Sequence, residues 1–453
     1  MRVRDFLKSS KAYKILHIIN GINCRHRKSE VIILRNDSSS ETLEAWIIRL
    51  RREFHQYPEL SFKEYETQKQ ILKKLGELGI EAKKIADTGV FASIKGNAPG
   101  PCIALRSDTD GLEVQEKLTE RNGDYISKNN GVMHACGHDG HMAMLFGAAR
   151  LFQETGNFPG EVRLIFQPAE EIPQGGSKRV IAEGGLEGVD AILGMHIFTN
   201  YESGSIGLHP GPFMASTNRF EVTLKGKGGH ISEPESCIDP IRIAIDLINT
   251  LYSALENQLE PDKYVLGIGR IQGGAQFNRT PDNVGILGSY RTFYKETTDT
   301  IDKTIKDCLD TLMEKYRKPG EELIGFPDYD LEILHGYPVL VNDPAFTSAV
   351  HSKLQKSLPE LKIYSEITKT FASEDFASYL QIVPGVFIYL GSRNPQKKIV
   401  EINHSCTFDI DEEILIIGTN IFYTVSLDFL KNPDKYINSK RNFRKKYFNP
   451  ELL

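Results

Sequence analysis

Three apolar stretches of this chain end in the same way. "PCIALRSDTDGL" runs into Asp108 and Asp110, "GEVRLIFQPAEE" into Glu170 and Glu171, and "VDAILGMHIF" into His196. A short apolar run closed by turn or polar residues reads as a strand buried on both faces, and such strands belong to largely parallel sheets covered by helices. In sheets of this kind the C-terminal strand ends open on the ligand crevice. The recurrence predicts an α/β fold with a largely parallel central sheet flanked by helices, and a polar site along one edge of it.

The stretches between the strands fit helices. In "DSSSETLEAWIIRLRREFHQYPEL", Leu43, Trp46, Ile47, Leu50 and Phe54 recur at helical spacing, Ser38 and Glu41 fit a capping box, and Pro58 stops the helix. A second helix is expected over 63–78, followed by a strand pair in "AKKIADTGVFASIKG". Residues 139–154 and 176–184 suit crossover helices.

The texture changes near residue 215. "NRFEVTLKGKGGH" alternates like an antiparallel strand, "DPIRIAIDLINTLYSALENQ" is an amphipathic helix, and "KYVLGIGRIQGGAQFNRTPDNVGILGSYRTF" reads as strands joined by Gly-rich turns. A further helix is expected over about 296–317. This β-α-β-β-α-β order describes a small α+β, ferredoxin-like unit with its helices on one face. The α/β texture returns near residue 331. The expected organisation is a basic N-terminal extension (1–36), a catalytic domain in two parts (37–214 and 331–430), an inserted domain (215–330) and a basic C-terminal tail (431–453).

The net charge of −5 gives no basic field to attract nucleic acid, and none is expected as a partner. Six dispersed cysteines fit reduced thiols better than a disulfide framework. The longest apolar candidate, "ILIIGTNIFYTVSL", is shorter than the roughly 18 residues a bilayer requires and reads as a core helix. A cytoplasmic protein without a membrane partner is expected, with organelle targeting by the basic N-terminus left open.

"GVMHACGHDGHMAM" concentrates His134, Cys136, His138, Asp139 and His141. Three readings stand at this point. Cys136 and His138, in a Gly-containing turn, suit zinc or a neighbouring transition metal. Alternatively the stretch is a helix start capped by Asp139, or Cys136 is a nucleophile paired with a histidine. Glu170 and Glu171 cannot both face a core unpaired. In a turn, one could bind metal while the other reaches water, which supplies a ligand and a general base. His196 is a further imidazole at a strand end.

"MHACGHDGH", "IFQPAEE", "GMHI", "KGKGGH", "GG...N..PD", "YRTF" and "EDFA" occur in that order. Together they resemble the aminoacylase and carboxypeptidase group of di-metal hydrolases, in the branch of hippurate hydrolases and indole-acetyl-amino-acid hydrolases. The resemblance runs from about residue 41 to 428. It implies a zinc-exopeptidase-like catalytic domain and two divalent ions per subunit, of zinc, manganese, nickel or cobalt. The implied ligands are Cys136, His138, Glu171, His196 and His404, the last in "NHSCTFDIDEE", where Cys406 replaces the usual proline.

Glu170 matches the family's general base, and Asp108 and Asp110 match acidic positions that orient ligands. His134 and His141 are left as supports. The inserted region resembles a lid and dimerisation domain, which implies a homodimer. Within it, His230 matches a histidine presented to the substrate carbonyl, often from the partner subunit. Asn278 and Arg291 match positions that hold the substrate's carbonyl or carboxylate, with a turn residue and a solvated strand face as the plain readings. Glu374 is expected near the site or as a helix cap. The implied activity is metal-dependent hydrolysis of an N-acyl amino acid. A dipeptidase or carboxypeptidase on the same scaffold is the alternative, and a silent binding protein the third reading.

Overall fold

A computed structural model describes residues 41–173, 175–317, 325–365 and 369–437. The N-terminal extension, Ser38 and most of the basic tail lie outside them. Helices α1 (Leu43–His55) and α2 (Tyr65–Glu77) precede strands β1 (Ala82–Ile85), β2 (Gly89–Lys95) and β3 (Ala98–Asp108). Then come α3 (His138–Thr155), β4 (Pro159–Gln167), α4 (Gly176–Ala182), β5 (Ala191–Glu202), β6 (Ser205–Gly207) and β7 (Gly211–Met214). The first helix is capped by Thr42, whose hydroxyl accepts from the Ala45 N–H at 3.2 Å, and not by Ser38. A threonine one residue before the helix supplies the same oxygen, and Glu41 pairs with Arg49 instead.

The chain then builds β8 (Asn218–Lys225), β9 (Gly229–His230), α5 (Pro240–Gln258), β10 (Tyr264–Gly273), β11 (Arg279–Thr280), β12 (Asn283–Thr292), α6 (Lys295–Tyr316) and β13 (Asp328–His335). It closes with β14 (Leu340–Asn342), α7 (Pro344–Ser357), β15 (Lys362–Tyr364), α8 (Ala377–Leu380), β16 (Gly385–Arg393) and α9 (Ile414–Lys431).

The main sheet has the order β1-β2-β4-β3-β5-β16-β6-β15. Its centre, β4-β3-β5-β16, is parallel throughout, while β1, β2 and β6 join antiparallel. Alternate residues of the central strands enter two cores. Ile103, Leu105, Leu193, Met195 and Ile388 face α1, α3, α7 and α9, whereas Cys102, Ala104, Ile192 and Phe387 face α4 and α8. Burial on both faces is why these strands read as unbroken apolar runs.

Helix α9 is long and apolar enough to cross a membrane by length and composition, yet 61% of that span is buried inside the fold. Gly418 lets it approach α3, since a methyl group there would overlap Met144 Sδ. Gly418→Ala is expected to cost about 1–3 kcal/mol of stability, measured as a drop in the urea midpoint.

Strands β10-β12-β8-β13 form a separate antiparallel sheet. With α5 and α6 it encloses its own core, including Phe220, Val222, Leu247, Leu251, Ile286 and Leu309. The β-α-β-β-α-β order with this strand arrangement is ferredoxin-like. Its last strand, β13, runs through residue 331, where the sequence texture placed the return to α/β, and on to His335.

Candidate metal centre

The polar residues of the three stretches converge, although only Asp108 closes its strand: β4 stops at Gln167 and β5 runs past His196 to Glu202. Asp108 closes β3 opposite Gln167 at the end of β4, and Glu170 and Glu171 follow after a turn at Ala169. His196 lies within β5, in register with Tyr389 of β16. Cys136 and His138 sit either side of Gly137, whose φ of +86° is a left-handed conformation that glycine adopts freely. The loop after β16 brings His404, whose N–H donates to Ala135 O at 2.8 Å and whose own φ is +72°. A left-handed non-glycine residue is uncommon, and here it sits where the loop meets the cluster.

Among the described residues five groups of three possible donors form, one of them His138 with Glu170 and Glu171, and two are built from the implied ligands alone. The ligating atoms of Cys136, His138 and His196 lie within 4.8 Å of one another, and so do those of Cys136, Glu171 and His404. Cys136 belongs to both. Its Sγ is 3.3 Å from His196 Nε2, while Glu171 Oε1 is 3.8 Å from His138 Nε2 and 3.4 Å from His404 Nε2. His404 is exposed, so the cluster opens to solvent on that side.

The surrounding hydrogen bonds fix which nitrogens are free to bind. His138 Nδ1 lies 2.8 Å from the Asp110 carbonyl oxygen and 3.2 Å from Asp110 Oδ1. A carbonyl only accepts, so Nδ1 carries the proton and Nε2 presents its lone pair. His196 Nδ1 likewise faces Ile197 O at 2.9 Å, leaving Nε2 bare toward Cys136. His141 is committed differently. Its Nε2 accepts from the Ile197 N–H at 2.9 Å and its Nδ1 meets Asp108 Oδ1 at 2.6 Å, so no lone pair remains for an ion. That excludes His141 as a ligand although it groups with Asp108 and His138 by distance.

The charges call for a cation at this spot. His138 Nε2 and Glu171 Oε1 are buried without a hydrogen-bond partner. Burial, then Glu171 and Glu170, push the Cys136 thiol well above its ordinary range. Burial, then Glu374, Glu171 and Asp375, do the same to the Glu170 carboxyl. Although burial disfavours a charged imidazole, Asp108 and Asp110 push His138 up to about 10, so without an ion Nε2 is protonated too and a bound cation would take that proton's place. Soft sulfur, imidazole and carboxylate donors crowded around orphaned lone pairs are a set that fits divalent transition ions.

Sequence reasoning missed the buried hub beneath this cluster. Arg106 donates to Asp108 Oδ2 at 2.7 Å, Gln167 Oε1 at 2.9 Å and Asp375 Oδ1 at 2.8 Å, and pairs with Glu374 Oε1 at 3.0 Å. A lone arginine inside an apolar strand was the available signal, because such a charge must find partners. Tyr337 was missed too; its hydroxyl donates to the backbone carbonyl of Glu170 at 2.8 Å.

Several expected roles change. Asp139 does not cap α3: Gly137 holds that position, and the Asp139 carboxylate instead binds Arg51 Nε at 2.7 Å and His55 Nδ1 at 2.8 Å. A buried arginine outcompetes a cap because it gives the carboxylate a full counter-charge. His134 is buried with neither ring nitrogen hydrogen-bonded, so its side chain meets the loop by packing and not by hydrogen bonds. Glu374 lies with Glu170 and Asp375 and also accepts from the Phe376 N–H at 3.0 Å.

The inserted unit's residues stand apart. His230 is exposed, its Nδ1 2.6 Å from Ser232 Oγ, in a two-residue strand paired with Arg279. Asn278 is its neighbour, accepting from the Ile231 N–H at 3.1 Å. Among the described residues no hydrogen bond or ion pair joins either to the cluster. Arg291 on β12 does reach toward it, donating to Ser373 Oγ at 2.8 Å beside Glu374. No carboxylate pairs with Arg291 among the described residues.

This arrangement has relatives. The chain is 37% identical over 401 residues to thermostable carboxypeptidase 2 of Saccharolobus solfataricus, covering 87% of this chain and 98% of that protein. It is 32% identical over 439 residues to IAA-amino acid hydrolase ILR1-like 4 of Arabidopsis thaliana, covering 94% and 96%. A solved structure, the YXEP protein of Bacillus subtilis, described as a dinuclear metal binding peptidase from the M20 family, superposes with a TM-score of 0.74. The two share 34% identity over 86% of this chain and 99% of that one. The model of peptidase family M20/M25/M40 matches residues 104–428, and the chain belongs to that family.

Proposed function

We propose that the protein hydrolyses the amide bond of an N-acyl amino acid, using two divalent ions held by Cys136, His138, Glu171, His196 and His404. The observation that carries this reading is the pair of donor triples sharing Cys136 beside Glu170. The likeness to a dinuclear peptidase and to an amino acid conjugate hydrolase supports it. When bound, the ions would polarise the carbonyl and make water a nucleophile at neutral pH.

The chain's own groups do the rest. Asp110 fixes the His138 ring by its hydrogen bond to Nδ1, and Asp108 holds His141 against β5. A Glu170 carboxylate oxygen takes a proton from the attacking water and delivers it to the leaving nitrogen as the C–N bond breaks. Arg291, a half-buried guanidinium that donates to the Ser373 hydroxyl, offers its fork to the substrate carboxylate. Among the described residues Cys102, Cys136, Cys237, Cys308 and Cys406 are free thiols, which supports a reducing, cytoplasmic setting.

His230 and Asn278 complete the site from a second subunit in this reading. Edge strand β10 and helix α5 expose Val265, Ile271, Ile241 and Ile245, a surface suited to a homodimer. Coexpressing Glu170→Gln and His230→Ala subunits is therefore expected to recover about a quarter of wild-type activity, because half of the dimers are mixed and each has one intact site. No recovery would place His230 in its own subunit's site, and full activity of His230→Ala alone would place it outside catalysis.

The relative named as a carboxypeptidase favours peptides as the second substrate class. Metal-reconstituted protein assayed on N-acetyl, N-benzoyl and N-indoleacetyl amino acids beside dipeptides separates the two. EDTA-sensitive cleavage of the acyl series is expected; cleavage of dipeptides alone would replace the proposal.

A further inference from the structure

Three of the five donors of the proposed centre come from two segments joined by the His404 N–H bond to Ala135 O. One carries Cys136 and His138, the other His404. Arg51, on the buried face of α1, touches both. Its Nε donates to Asp139 Oδ2 at 2.7 Å, and Asp139 directly follows His138. Its Nη2 donates to Asp409 Oδ1 at 3.0 Å, five residues beyond His404, and its Nη1 reaches Glu412 Oε1 at 3.3 Å in the same segment. The guanidinium is fully buried, as is Asp139, and Asp409 is nearly so.

We propose that Arg51 is a positioning residue that sets the distance between the two donor loops and thereby the affinity of the His404-side ion. The inference rests on the reading of the cluster as a two-ion centre. Three features support it beyond simple burial. Three different nitrogens of one rigid fork are aimed at three carboxylates, two of them in the His404 segment, a task no lysine ammonium can match. The other oxygen of Asp139 has no partner, so the Asp139 side chain is held by Arg51 and His55, beside the bonds that tie His138 to Asp110 and His141 to Asp108. Asp409 is in turn shared with Tyr125 Oη at 2.8 Å and Arg121 Nε at 3.2 Å, and its Oδ1 accepts from the Ile410 N–H at 2.9 Å. The His404 loop is thus fastened at Asp409 and at the His404 N–H bond to Ala135, with the ligand at one end of the span.

An apolar residue would serve stability as well as a buried ion pair does. Geometry is what the charge network adds. Mutating residues that orient metal ligands typically weakens affinity by about 10- to 100-fold.

The test is calorimetric titration of Mn²⁺ into EDTA-stripped, dialysed full-length protein. Wild type is expected to take up two ions. Arg51→Lys is expected to weaken one of the two by about 10- to 100-fold. Asp409→Asn, which keeps Arg51 and Asp139 intact, is expected to weaken the same ion and leave the other unchanged, and it provides the answer should Arg51→Lys fail to fold. Leu354→Ala, a core truncation in α7, serves as the stability control: it is expected to lower Tm without moving either affinity. Wild-type Mn²⁺ affinities in Asp409→Asn and in folded Arg51→Lys, or an equal loss in Leu354→Ala, would overturn the positioning role alone. A wild-type protein that binds no Mn²⁺ would overturn the two-ion reading beneath it.

Discussion

Glu170→Gln is expected to lower kcat by about 10²- to 10⁴-fold, the usual worth of a general acid–base group, while the protein keeps its two ions. Glu170 stands outside both donor triples that share Cys136, and glutamine preserves its shape and leaves the Tyr337 hydrogen bond to its backbone carbonyl in place. Metal analysis beside single-turnover kinetics checks both halves. Undiminished turnover would remove Glu170 from the mechanism, and lost metal would make it a ligand.

The same variant carries a second, opposite expectation for the EDTA-stripped protein. Burial and the neighbouring Glu374, Glu171 and Asp375 hold the Glu170 carboxyl well above its ordinary pKa. A raised carboxyl pKa means that the folded state binds the proton more tightly than the unfolded one. Its stabilising share is full below the unfolded value and is lost as pH rises through the folded one. Near neutral pH glutamine relieves that conflict, so Tm should rise while activity falls, a common trade at catalytic sites.

Cys136→Ala is expected to have the second largest effect, because one sulfur serves both triples. Losing it should empty both sites and reduce activity beyond the roughly 10- to 100-fold seen when a ligand-orienting residue is removed. His196→Ala and His404→Ala each break one triple and should each retain one ion. Stoichiometry by elemental analysis distinguishes these outcomes. If Cys136→Ala keeps full metal yet loses activity, the cysteine is a nucleophile, and the wild-type enzyme should then be blocked by alkylation and indifferent to EDTA.

How much of this was legible in the sequence depended on the range of the forces involved. The strands leading to Asp108, Glu170 and His196 were readable because burial on both faces leaves an unbroken apolar run, but only Asp108 ends one: β4 stops at Gln167 and β5 continues past His196 to Glu202. The ferredoxin-like unit was readable because alternation and helical periodicity are local. Asp139 was misread because its partner, Arg51, lies 88 residues away, and proximity to a helix start favoured a cap. Arg106 with Asp375, 269 residues apart, left only the oddity of a charge in an apolar strand. His230 pairs with Arg279 and Asn278 takes the Ile231 N–H, and among the described residues neither bonds to the centre, a separation that motif order alone does not reveal.

The strand order also says something about how such a chain must be made. Strand β5 is finished by residue 202, yet its parallel neighbour β16 begins only at Gly385, after the whole inserted unit has been synthesised. Until then a growing chain carries β5 as an open, apolar edge, the kind that pairs with other chains. The ferredoxin-like unit, with its own core, can fold during that interval and physically shelter nothing of β5's pairing groups by sequence alone. A ribosome stalled before residue 385 would therefore present a sticky half-sheet with four of the five donors and no His404, and the nascent protein's demand for a chaperone should peak in that window.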